Sequence, residues 1–188
     1  MRIEPGQQAP AFRAQTTAGA TIGDSDYAGR TLLLKFYRFA HCPICHLHVR
    51  ELTRRHDELV AAGVDVVAVY HSPSHKIHRA LKALEVPFPV VADPDKKLFT
   101  AYGVERSMGG MVAARVMRDY ARATMAGFFS RPIGHEGGIK THPADFVVGP
   151  TGSVVVAHYG ADYADSLGVD AVLNAVREAG AGRGAQRV

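Results

Sequence analysis

At 188 residues the chain has room for one ordinary globular domain with an insertion, and needs neither a disulfide scaffold nor a structural metal to build a core. Its 47% hydrophobic and 21% charged content excludes a wholly disordered chain, and no apolar run approaches the roughly 20 residues of a membrane helix. The net charge of +4 is mild, and the basic residues are not gathered into a nucleic-acid-binding block.

The predicted elements alternate β and α. The opening residues Met1–Pro10 carry no apolar export segment, so a cytoplasmic setting is expected. Thr31–Arg38 reads as a buried strand and Val64–His71 as the next. Between them Pro43–Ala62 reads as one helix, with Cys45, His48, Val49, Leu52, His56, Leu59 and Val60 on its apolar face and Leu47 out of place. Gly63 is the expected stop. Strand, helix, strand in this order implies a right-handed parallel crossover. A second helix follows near Ser74–Leu84, then a short strand Phe88–Ala92 and a helical turn from Asp93 to Tyr102. Phe146–Val148 and Val154–His158, joined across Gly149–Ser153, read as an antiparallel hairpin. Val169–Ala179 closes the fold as a helix.

The stretch from Val104 to Thr141 breaks the alternation. It contains a predicted helix around Met111–Phe128, with Ala113, Met117, Tyr120, Ala121, Thr124 and Phe128 on the packed side and Arg115, Arg118 and Arg122 on the solvated one. A lid over the site, with its arginines turned to an acidic substrate or partner, is the alternative reading of this helix. Gly134, Gly137 and Gly138 are expected to form a mobile loop. The expected organisation is one α/β domain over residues 1–180, with the insertion at about 105–140 and a flexible tail at 181–188.

The two cysteines form a single Cys42-Pro43-Ile44-Cys45 unit. An isolated CxxC in a reducing setting points to redox chemistry rather than to a structural staple. Its place at a strand-to-helix junction supports that reading, because unpaired N–H groups and the helix dipole stabilise a thiolate, which is the nucleophile. Cys42 precedes the first turn and is expected to be the more exposed sulfur; Cys45 lies one turn on, within the buried stripe. Such a pair lets one sulfur attack and the other resolve. Arg38, His41 and His46 bring actual or potential positive charge to the sulfurs, and Pro43 sits where a missing N–H costs nothing.

The chain resembles the peroxiredoxin-like branch of the AhpC/TSA superfamily, in a form carrying a CxxC. The resemblance runs through Gly6–Phe12, Lys35–Arg38 with the CxxC, Phe88–Pro94, then Leu98, Tyr102 and Gly103, and ends at Pro143–Pro150. It implies a thioredoxin-like fold: a central mixed sheet flanked by helices, with the helical insertion placed before a strand that opens on a cis-Pro. It also implies an antioxidant thiol oxidoreductase without a cofactor, acting on small hydroperoxides or protein disulfides and served by an external thioredoxin- or glutathione-like reductant. A homodimer is compatible with it. Laid over the peroxiredoxin signature P-x-x-x-T-x-x-C, Arg38 stands at the Pro, Cys42 at the Thr and Cys45 at the peroxidatic position. The later peroxide-ordering Arg falls at Pro143, where thioredoxins keep a cis-Pro beside the CxxC. The resemblance therefore leaves open whether Cys42 or Cys45 attacks first.

Other readings are weaker. Cys42–His46 also spells the haem-attachment string, which requires export. Cys42, Cys45, His46 and His48 could hold zinc, but the two histidines lie about 160° apart on a helical wheel. His41 and His142 are candidate proton donors at the rim of the site. A non-catalytic redox sensor, read by a partner through the inserted arginines, remains the alternative to an enzyme.

Overall fold

The computed structural model describes residues 2–104, 114–128 and 141–185, without the side chains of 182–185. The insertion's glycines 134, 137 and 138, and tail residues 186–188, lie outside the described residues.

Strand β3 (Thr31–Tyr37) is buried along its whole length, which is why its sequence TLLLKFY is almost continuously apolar rather than alternating. Around it the chain builds the short hairpin β1 (Arg13–Gln15) and β2 (Thr21–Gly23), then β4 (Val64–Tyr70), β5 (Val90–Ala92), β6 (Ala144–Val148) and β7 (Val154–Tyr159). The main sheet runs β5-β4-β3-β6-β7. β3, β4 and β5 are parallel, while β6 and β7 are antiparallel to their neighbours, so the sheet is mixed as expected.

Among the described residues six α-helices accompany these strands: α1 (Pro43–Arg54), α2 (His56–Ala61), α3 (Ser74–Leu81), α4 (Lys97–Ala101), α5 (Ala114–Met125) and α6 (Val169–Ala185). Alternate residues of β3 feed two cores. Leu33 and Tyr37 join Cys42, Cys45, Val49 and Leu52 of the α1 side. Leu32, Leu34 and Phe36 join Leu98, Phe99 and Tyr102 on the other, where Phe36 packs against Phe99 at 5.0 Å and Tyr102 at 5.3 Å. No helix among the described residues is long and apolar enough to cross a membrane.

Several expectations need correction. The helix read as Pro43–Ala62 breaks at Arg55 (φ −109, ψ 15), whose guanidinium bonds Glu58 and Asp170 at 2.7 and 2.6 Å. The break resets the helical phase, so Leu59 stays buried while Val60 is 56% exposed. Leu47, out of place on an isolated wheel, is buried because α5 packs against α1. In α5 the buried residues are Val116, Asp119 and Ala123, whereas Met117, Ala121 and Thr124 of the expected packed side are exposed. α6 runs through Gly180 to Ala185 instead of stopping at Ala179.

The expected cis-Pro is absent: the bond before Pro143 is trans. The chain enters β6 extended, and Gly160 ties it to the segment after β7. The Pro143 carbonyl accepts the Gly160 N–H at 2.9 Å, and His142 Nδ1 meets the Gly160 carbonyl at 2.9 Å. Proline is tolerated at such a strand entry because no ladder N–H is needed from it.

Candidate active site

β3 delivers the chain to a loop, Arg38–Cys42, and the loop delivers Cys42 to the N-terminus of α1 as its cap residue. The Cys42 sulfur accepts the Cys45 backbone N–H at 3.3 Å, satisfying one of the donors that a helix start leaves unpaired. Pro43 fills the first helical position, where the lost N–H has no partner to miss. Arg38 Nη1 lies 3.8 Å from the same sulfur.

Arg38 is itself 2% exposed, and burial acts against its charge, but the two neighbouring sulfurs hold it firmly cationic. Its guanidinium carbon sits 3.7 Å from the ring centre of Tyr163 and 5.1 Å from that of Phe39. Tyr120 of α5 is also within hydrogen-bonding reach of Arg38.

The two thiols separate electrostatically. Burial opposes ionisation of Cys42, but the Cys45 thiol, the Arg38 charge and the Cys45 N–H outweigh it and bring Cys42 down to about 7. Cys45 is pushed well above the ordinary thiol range, by burial first and then by the neighbouring Cys42 sulfur. The thiolate of this pair belongs on Cys42.

Both cysteines are free thiols, 0% and 2% exposed for Cys42 and Cys45. The expectation of a more exposed Cys42 is therefore overturned; electrostatics, not exposure, distinguishes them. His46 does not contribute the expected charge. Burial in the first turn of α1, with its ring 5.3 Å from Phe128, holds it below the ordinary histidine range despite the Ala40 carbonyl. His41 is half-buried in the loop next to Cys42. His142 is 6% exposed rather than at a rim, and its ring meets Tyr163 edge-on at 5.1 Å. The β3–β6 ladder ends where Phe36 pairs with Ala144, so Pro143 and His142 enter β6 at the end of the sheet from which Arg38 leaves β3. The structure thus gathers Arg38, Pro43, Cys42 and Cys45 into one cluster, and joins His142 to it through Tyr163.

Tyr163 is not marked by the sequence, and Tyr120 is marked only as one of the packed-side residues of the inserted helix, whose alternative reading is a lid carrying Met and aromatic residues over the site. Tyr163 lies in an irregular segment with no periodicity, so nothing local marks it. Beneath the site, Lys35 and Asp145 form a buried ion pair at 2.8 Å, 3% and 1% exposed, extended by bonds from Ser166 Oγ and the Leu167 N–H to Asp145. Their only sequence signal is a charge in each of two apolar strand segments.

The two free cysteines thus lie at the β3–α1 junction, at the start of a helix that packs on a thioredoxin-like sheet. The AhpC/TSA family model matches residues 5–157, and the chain belongs to that family. A peroxiredoxin-named protein of Mycobacterium tuberculosis is 28% identical over 160 residues, 84% of this chain and 86% of that one. The thiol-disulfide oxidoreductase ResA of Bacillus subtilis is 32% identical over 103 residues, 54% of this chain and 57% of ResA. Among solved structures, peroxidoxin BcpB of Mycobacterium tuberculosis superposes with a TM-score of 0.69 at 14% identity, covering 94% of this chain and 98% of that one, which shows the thioredoxin-like fold. The chain is an enzyme of the thiol peroxidase and thiol oxidoreductase class.

Proposed function

We propose that Cys42 and Cys45 are a redox-active dithiol that reduces disulfides or small hydroperoxides, with Cys42 as nucleophile and Cys45 as resolving thiol. The observation that carries this reading is the convergence of the Cys45 N–H at 3.3 Å and Arg38 at 3.8 Å on the Cys42 sulfur, one helical turn from a second free thiol.

With a disulfide, the Cys42 thiolate attacks one sulfur, forms a mixed disulfide and expels the other as thiolate. Cys45 loses its proton to solvent and attacks Cys42, releasing the second thiolate; both leaving thiolates take up protons. The net change is one disulfide reduced to two thiols and one dithiol oxidised to Cys42–Cys45. With a hydroperoxide, Cys42 attacks the distal oxygen, the O–O bond breaks, and the alkoxide leaves as alcohol after protonation. Cys45 then displaces water from the Cys42 sulfenic acid. A thioredoxin- or glutathione-like thiol restores the dithiol in both cycles.

Disulfide exchange is the better supported of the two. The positions that order peroxide in the family signature carry Arg38, Cys42 and Pro143 here, whereas exchange needs only a thiolate and a second thiol in reach. Since both sulfurs are buried, approach to Cys42 requires the groups covering it to move aside.

The test is thiol loss from the reduced protein on mixing with a model disulfide or a hydroperoxide. Wild type loses two thiols in a cycle that an added thiol reductant renews; Cys45→Ser traps a mixed disulfide or sulfenic acid; Cys42→Ser is inert. Reaction of wild type no faster than free cysteine contradicts the proposal. One oxidation that no reductant can turn over supports the sensor instead.

A further inference from the structure

Arg38 has a long, rotamer-rich side chain, and its effect on Cys42 depends on where the guanidinium is held. The ring of Tyr163, 3.7 Å from the guanidinium carbon, supplies a flat, electron-rich seat in a water-poor setting, where a cation over an aromatic face is held most strongly. Tyr163 is 4% exposed and is backed by the His142 ring at 5.1 Å and an interplanar angle of 89°.

The turn carrying Tyr163 is pinned on both sides. Asp162 Oδ1 accepts the Ala164 N–H at 2.8 Å, and Asp165 Oδ2 accepts the Ala161 N–H at 2.8 Å. From α5, Arg115 donates to Asp162 at 2.8 Å and reaches Asp165 at 3.2 Å. A helix remote in sequence thereby clasps the turn that seats the arginine.

We infer that Tyr163 is a positioning residue of this site, its ring holding the Arg38 guanidinium against the Cys42 sulfur, with the Arg115 clasp fixing the turn that carries it. This rests on the dithiol reading above. Among the described residues, the groups facing Cys42 are Arg38 from the loop, Cys45 from α1, Tyr120 from α5 and Tyr70 from β4. Arg38 is the cation among them, so displacing it removes the positive charge that this set offers a thiolate.

The experiment is a pH titration of thiolate ultraviolet absorbance in a Cys45→Ser background, where Cys42 is the single cysteine. Tyr163→Phe keeps the aromatic face and leaves the titration in place. Tyr163→Leu removes it and moves the midpoint up by about one pH unit, an approximately fivefold loss of thiolate at neutral pH. Arg115→Gln moves it the same way by less, about twofold in thiolate. If Tyr163→Leu does not fold, a ring-fluorinated phenylalanine at 163 replaces it: the ring keeps its shape but loses the negative charge on its face, and the midpoint rises. An unmoved midpoint in a folded Leu variant, or in the fluorinated one, overturns the role of Tyr163 alone. A parent Cys45→Ser protein that titrates as an ordinary thiol overturns it together with the dithiol reading.

Discussion

Lys35 on β3 and Asp145 on β6 stand directly opposite each other in the central sheet, and their charged atoms meet at 2.8 Å. Both are nearly sealed from water, and Lys35 also donates to Ser166 Oγ and the Leu167 carbonyl. The pair therefore ties the middle of the sheet to the segment leading into α6. A buried ion pair is costly to form and more costly to break, because removing one partner strands the other. Asp145→Ala is expected to lower stability by about 3–5 kcal/mol in urea unfolding. The paired replacement Lys35→Met with Asp145→Leu is expected to recover most of that loss. Equal destabilisation by the single and paired variants would show that the ion pair is not the source.

His48 gives a pH signature. Burial, the nearby Lys35 and Arg122 charges, and the opposing pull of Asp145 and Asp119 leave its pKa at about 4. The unfolded value is about 6.5, so the unfolded chain binds the proton more readily. This contribution to stability is complete above about pH 6.5 and declines as pH falls towards about 4. In urea titrations at a series of pH values, His48→Gln is expected to flatten the upper part of that decline. An unchanged slope would place the proton uptake elsewhere.

Gly160 is required by close approach. A Cβ there would run into the Asp165 carbonyl oxygen and lie 2.9 Å from that of Pro143, both of them backbone atoms with little freedom to yield. Gly160→Ala is expected to cost about 1–3 kcal/mol, as overpacking does, and to disturb the turn bearing Tyr163. Thermal unfolding checks the cost, which the account does not survive if the variant is as stable as wild type.

The strands of the main sheet were legible because each carries a concentrated apolar run bounded by turn residues, as in Val64–Tyr70 and the hairpin across Gly149–Ser153. The hairpin of β1 and β2 was not, since its three-residue strands have no period to detect. Leu47 and Val60 were misplaced for a related reason. A wheel drawn for one uninterrupted helix contains neither the partner helix α5 nor the break that Arg55 makes with Glu58 and Asp170. Local spacing was enough to place Cys42, Pro43 and Cys45 at a helix start. The electrostatic partner set was only half visible: Arg38 is adjacent in sequence, but Tyr163 reaches it across 125 positions, a closure that no local pattern encodes. His46 misled because its burial, which decides whether it carries charge, is a tertiary property.

The central claim is that the reduced pair divides its labour, with the negative charge resting on Cys42. Brief alkylation of the reduced wild-type protein with limiting iodoacetamide at neutral pH, followed by mass analysis of the peptides, reads this division directly. The account predicts label on Cys42 in at least about tenfold excess over Cys45. Equal labelling, or label entering at Cys45 first, would contradict it.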